Sequence, residues 1–112
     1  MLRATNRLSQ AEPLYRRALT IDEKSFGPHH PEVAADLNNL AGWLAAANRL
    51  SEAEPLHRRA MAILVQFTET TGHEHSHFAI AQRNYAELLA AMGRNESEIQ
   101  AAIQSVLKRS RE

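Results

Sequence analysis

Residues Asn6–Ala18 read NRLSQAEPLYRRA, and residues Asn48–Ala60 read NRLSEAEPLHRRA. Eleven of the thirteen positions are identical at an offset of 42 residues, an agreement that chance does not produce. A fixed period of this length marks a chain built from repeated supersecondary units, and it takes precedence over any local reading. A weaker copy lies further on. Leu37-Asn38-Asn39-Leu40-Ala41 and Leu44 are echoed by Gln82-Arg83-Asn84-Tyr85-Ala86 and Leu89, now 45 residues away. The three extra residues fall between Ile63 and Gly72, where a loop is expected to absorb them at small entropic cost.

Each unit reads as two helices. From Ser9 to about Ser25, the residues Ala11, Leu14, Tyr15, Ala18 and Leu19 form one apolar stripe at helical spacing. Ser9 with Glu12, and Ser51 with Glu54, fit the S-x-x-E pattern that satisfies orphan amides at a helix start. Pro13 and Pro55 then fall in the first turn, where a missing N–H does least harm. Gly27-Pro28 ends the first helix, and Pro31 opens the next, which runs to about Asn48 with Val33, Leu37, Leu40, Ala41 and Leu44 on its buried side. Further helices are expected near residues 51–68, 76–92 and 96–109, the last with Ile99, Ala102, Ile103, Val106 and Leu107 facing inward. The predicted fold is all-α: about five helices stacked as antiparallel pairs in an α-solenoid. The divisions are a partial first repeat at 1–26, a second unit at 27–68 and a degraded, capping third unit at 69–112 of a single domain. Residues 1–6 read as the tail of a preceding helix.

Composition agrees and removes several functions. The chain has 112 residues, 44% of them apolar; 19 are Ala and only six are aromatic, which suits close-packed helices better than sheets. Thirteen Lys and Arg balance thirteen Asp and Glu, so the cationic excess that phosphate backbones demand is missing, and no nucleic-acid partner is expected. With no Cys there is neither a disulfide nor a thiolate nucleophile. No apolar run spans a membrane and none follows Met1 as a secretory signal, so a cytoplasmic location without membrane contact is expected.

Small residues at Ala11 and Ala53, with Ala18 and Ala60 seven positions on, resemble the second helix of a tetratricopeptide repeat, and Leu37, Leu40, Ala41 and Leu44 resemble its first. The 42-residue period, the AEPLYRRAL segment and the stretch from Gly27 to Ala41 resemble the longer repeats of kinesin light chains and their bacterial relatives. The small side chains let two helices approach at the short end of the usual separation. The resemblance implies a non-catalytic scaffold, without cofactor, that holds a protein or peptide partner in a concave groove lined by the first helices. Carried over by motif, the groove positions are Ala35, Asn38, Gly42, Ala45 and Ala46 in one helix and Ile80, Arg83, Glu87, Ala90 and Ala91 in the next. Asn38, Gly42, Arg83 and Glu87 are the candidate binding residues: an Asn amide both donates and accepts, and Arg grips carboxylates bidentately. The competing reading has Asn38 and Asn39 joining neighbouring repeats and Arg83 pairing with Glu87.

Three further features call for weighing. His73-Glu74-His75-Ser76-His77 satisfies H-E-x-x-H literally, but zinc-peptidase chemistry needs both His on one helical face, and this string sits at an inter-unit loop. Adventitious metal binding by His73, His75 and His77 is the milder alternative, and a solvated loop the plainest. Leu2, Leu8, Leu14 and Tyr15 lie on a first helix with nothing before it, which makes them candidates for self-association, a homodimer included. Trp43 beside Leu40 and Leu44 reads as packing.

Overall fold

A computed structural model describes the backbone of residues 2–110 and the side chains of residues 10–108. It contains α1 (Leu2–Phe26), α2 (Pro31–Ala46), α3 (Leu50–Thr71), α4 (Phe78–Ala91) and α5 (Glu96–Ser110), with no strand among the described residues. The packing order is α1 on α2, α2 on α3, α3 on α4, and α5 against both α3 and α4. Among the described residues no substantial packing runs from α4 or α5 back to α1, so the helices form an open stack rather than a closed bundle. The molecule measures 46 × 38 × 20 Å, and its thin dimension equals two helix layers of about 10 Å each. The chain is an all-α solenoid of antiparallel helix pairs.

The 45-residue offset is written into the turns. Arg49 N–H donates to Leu44 O at 2.8 Å, and Arg94 N–H donates to Leu89 O at 3.0 Å. The residue before each of them is left-handed: Asn48 at φ 61° and Gly93 at φ 89°. A helix ending this way needs a residue that tolerates positive φ, and Asn and Gly are the two that do so most readily. The helix starts repeat as well. His30 Nδ1 accepts from Glu32 N–H at 3.0 Å, and His75 Nδ1 accepts from His77 N–H at 3.1 Å. An aromatic ring from the preceding helix packs on each: Phe26 stacks on His30 and Phe67 meets His75 edge-on.

Several expectations are corrected. α3 begins at Leu50 with Arg49 at its N-cap and no side-chain cap, so the Ser51–Glu54 box does not form. Ser9 lies inside α1, which is continuous from Leu2; no separate helix tail occupies residues 2–6, and no box starts there. Pro13 and Pro55 are therefore interior helix residues, both on the solvent side. The three extra residues lengthen α3 by nearly a turn instead of forming a loop. A reciprocal cap does form elsewhere: Glu98 N–H donates to Asn95 Oδ1 at 2.8 Å, and Asn95 N–H donates to Glu98 Oε1 at 2.9 Å.

The core runs through the stack as three adjoining clusters. Val33, Ala34 and Leu37 of α2 meet Ala60, Ile63 and Leu64 of α3 and Ala81 of α4. Leu40, Leu44 and Trp43 pack around Ala53 and Leu88. Met61, Tyr85 and Leu89 receive Ile99, Ile103 and Val106 of α5. Trp43 is buried as expected, with the Arg49 guanidinium 5.4 Å from its ring centroid, within cation–π range. The stripe of α1 is only half used. Ala11, Tyr15 and Leu19 face α2, whereas Leu14 and Ala18 are exposed, since the side that α3 covers with Ala60 and Ile63 has no helix against it in α1.

Candidate functional site

Two helices of the same type, α2 and α4, stand side by side over α3 and leave a furrow of about 320 Å3 between them. Asn38, Gly42 and Ala45 form the α2 wall at helical spacing; Asn84, Glu87, Leu88 and Ala91 form the α4 wall; Leu50 and His57 of α3 close the floor. Gly42 is helical, and a Cβ built on it meets nothing within 4 Å, so the small residue keeps the α2 wall low without being required by packing.

Asn38, Gly42 and Glu87 are thus brought together. Arg83 is not. It lines a separate furrow with Glu74, Phe78, Gln82 and, from α5, Gln100 and Ile103. The physical reason is the repeat itself: Asn38 and Arg83 are equivalent positions one unit apart, so each borders the furrow of its own unit. A furrow between neighbouring helices is walled by opposite flanks, which brings Asn84 and Leu88 of α4, one residue round from Arg83 and Glu87, opposite Asn38 and Gly42. Among the described residues no ion pair joins Arg83 to Glu87 either.

The furrow contains one feature that the repeat pattern conceals. His57 replaces Tyr15 of the first copy and is almost fully buried, with its Nδ1–H donating to Asn38 Oδ1 at 3.1 Å. Burial pushes the imidazole below its usual range, only partly opposed by Glu54, so the ring is neutral at pH 7. The oxygen of Asn38 is engaged, and its amide N–H groups have no protein partner among the described residues. Glu87 remains the only charged side chain on the lining.

Long polar side chains tie the repeats together on another side. Arg49 reaches from the α2–α3 turn to Glu12 of α1 at 2.9 Å and to Glu52 of α3 at 2.7 Å. These contacts hold both carboxyls below, and the guanidinium above, their ordinary ranges. Arg59 pairs with Glu23 at 2.7 Å, and the one-turn pairs Glu12–Arg16 and Glu54–Arg58 are present at 2.9 and 3.7 Å. Tyr85 donates to Glu54 at 2.8 Å; burial and that carboxylate push its phenol up to about 12.

The His-rich string forms no converged set. α4 begins only at Phe78, so His73 and His77 both precede it and cannot share its face. His75 Nδ1 is occupied by a backbone amide, and among the described residues no group of three His, Asp or Glu side chains is arranged to hold a metal ion. Of the self-association candidates, Leu14 is 66% exposed and Tyr15 is half-buried in the core, while the side chains of Leu2 and Leu8 lie outside the described residues.

Open stacking of antiparallel pairs, left-handed turn residues at a fixed offset and a furrow between like helices together define the architecture. A family model for the tetratricopeptide repeat matches residues 1–66, more than half of the chain. The chain belongs to the tetratricopeptide repeat family. Members of this family are typically non-catalytic scaffolds for protein–protein interaction. No curated protein matches the chain. Among the described residues, no helix of this repeat protein is long and apolar enough to cross a membrane.

Proposed function

We propose that this tetratricopeptide repeat chain is a cofactor-free scaffold holding an extended segment or helix of a protein partner in the furrow between α2 and α4. The observation that carries the reading is the pairing of His57 with Asn38. A neutral, buried imidazole fixes the amide oxygen and leaves the amide donors of Asn38 to meet a partner's backbone carbonyl between walls kept low by Gly42, Ala45 and Ala91. Glu87 on the opposite wall favours a partner with Lys or Arg near that contact. The 42-residue period and the AEPLYRRAL segment support placing the chain with the kinesin-light-chain-like group. The balanced charge and the lack of a membrane-length apolar run are what the proposed cytoplasmic location, with neither membrane nor nucleic acid as partner, rests on. A peptide array probed with wild type and Asn38→Ala tests the furrow. Wild type is expected to select a family of ligands that the variant binds more weakly by about five- to tenfold, the value of one lost hydrogen bond. Unchanged selection by the variant would remove Asn38 from the site.

A second reading rests on a different observation. Leu14 and Ile21 on the outer side of α1 are each more than half exposed. We infer that this face favours a second copy of the chain, giving a homodimer joined through the ends of the two stacks.

A further inference from the structure

A second cavity, of about 620 Å3, lies apart from the furrow. It lies between α3, the end of α4 and α5, where Arg58, Arg94, Glu54, Tyr85 and Ser105 line it, and it shares no residue with the α2–α4 site. Its meaning comes from comparison with the preceding unit. There, Arg49 occupies the turn after α2 and takes two carboxylates, Glu12 from the helix before and Glu52 from the helix after. Arg94 holds the same place after α4, with the same N–H bond back into its helix. Neither of its acids is available. Glu54, the counterpart of Glu12, receives the Tyr85 hydroxyl and pairs with Arg58. Glu98, which holds in α5 the place of Glu52 in α3, is turned back onto the amide of Asn95 by the longer connection. Arg94 therefore has no side-chain hydrogen bond or ion pair among the described residues. Arg59 on the same wall is already balanced by Glu23, so Arg58 and Arg94 face the cavity with Glu54 as the sole acid lining it.

We propose that the cavity between α3 and α5 is a second binding site, in which Arg94, supported by Arg58, takes the carboxylate of a glutamate or aspartate side chain from an acidic segment of a protein partner. The incoming carboxylate does for Arg94 what Glu52 does for Arg49. A guanidinium offers two parallel N–H donors to a carboxylate, which separates this ligand from a neutral amide of the same shape. Tyr85, whose hydroxyl is committed to Glu54, and Ser105 give the pocket polar walls that a short charged side chain can enter.

The test is a titration of the isotope-labelled full chain, followed by the backbone amides of Arg94, Ala102 and Ser105. The probe is the end-blocked peptide AEAEA, with blocked AQAQA and inorganic phosphate as comparison arms. The glutamate peptide is expected to shift these amides at concentrations where the glutamine peptide does not, with Arg94→Gln weakening binding by about fivefold or more. Arg94 is exposed and its side chain makes no hydrogen bond or ion pair among the described residues, so that variant is expected to keep the wild-type fold; Arg83→Gln, in another furrow, is expected to bind as wild type. Equal responses to both peptides, undiminished binding by Arg94→Gln, or phosphate binding as tightly as the glutamate peptide would each overturn the proposal. Loss of furrow ligands on Asn38→Ala leaves this titration unaffected, so the two sites fail or stand separately.

Discussion

Asp36 is the residue most at odds with its surroundings. At the α3–α4 interface the equivalent positions are apolar and buried, Leu64 against Ala81; at the α1–α2 interface they are Asp22 and Asp36. Asp36 Oδ2 is buried without a partner, and desolvation, then Asp22, raise its carboxyl to about 7, with Glu32 and Glu23 adding to the effect. A carboxyl that titrates near 4 when unfolded and near 7 when folded favours the folded state fully at acid pH, and that contribution is lost as pH rises towards 7. Asp36→Asn is thus expected to match wild type near pH 4 and to exceed it at pH 8. The gain is on the order of 1 kcal/mol, because partial solvent contact discounts so large a displacement. Thermal melts at the two pH values check this, and an equal effect at both would contradict it. His57 acts in the opposite direction: its depressed pKa costs stability as pH falls below 6.5, and comparing variant with wild type at each pH cancels that background. None of this was legible in the sequence. Asp22 and Asp36 look like ordinary surface acids until the helix register sets them face to face, and the bond of His57, at the stripe position of Tyr15, to Asn38 has no signal in the sequence.

Among elements, α3 departs most from its sequence signals. Ser51 and Glu54 carry the spacing of a capping box, yet the helix starts before them, because Glu54 is drawn off by Tyr85 and Arg58 and the turn is already closed by Asn48. Pro55 consequently interrupts a formed helix. Pro55→Ala is expected to raise unfolding stability by about 1–3 kcal/mol, since it restores an N–H and removes a ring clash on an exposed face. Denaturant melts would measure it, and a neutral or lower midpoint would mean that α3 starts later in solution. What periodicity did reveal is the apolar stripe of α2, every member of which is buried, and the inward row Ile99, Ile103 and Val106 of α5. The register of 45 residues was readable too, and the left-handed pair Asn48 and Gly93 follows from it. Stripes fix the faces of elements well because burial acts on whole faces, whereas caps are decided by which of several partners wins a single carboxylate.

For the whole molecule, repetition in the sequence was enough to give an open stack, because units that resemble one another bury the same face against the same kind of neighbour. The grouping of site residues did not follow as directly. Equivalence along the chain put Asn38 and Arg83 in one groove, while stacking assigns them to successive furrows. The exposed outer face of α1 bears on assembly: sedimentation of wild type at high micromolar concentration is expected to show a dimer that Leu14→Glu together with Ile21→Lys converts to monomer. A wild-type monomer throughout would discard the self-association reading. The furrow itself can be blocked without disturbing the fold, since a side chain at Gly42 enters open space on a helix that gains by losing a glycine. Partner binding by Gly42→Trp is therefore the most direct measurement. Peptides selected by wild type are expected to lose binding to this variant while its melting midpoint stays at or above that of wild type; full retention of those ligands by a folded Gly42→Trp protein would show that the space between α2 and α4 is not where partners are held.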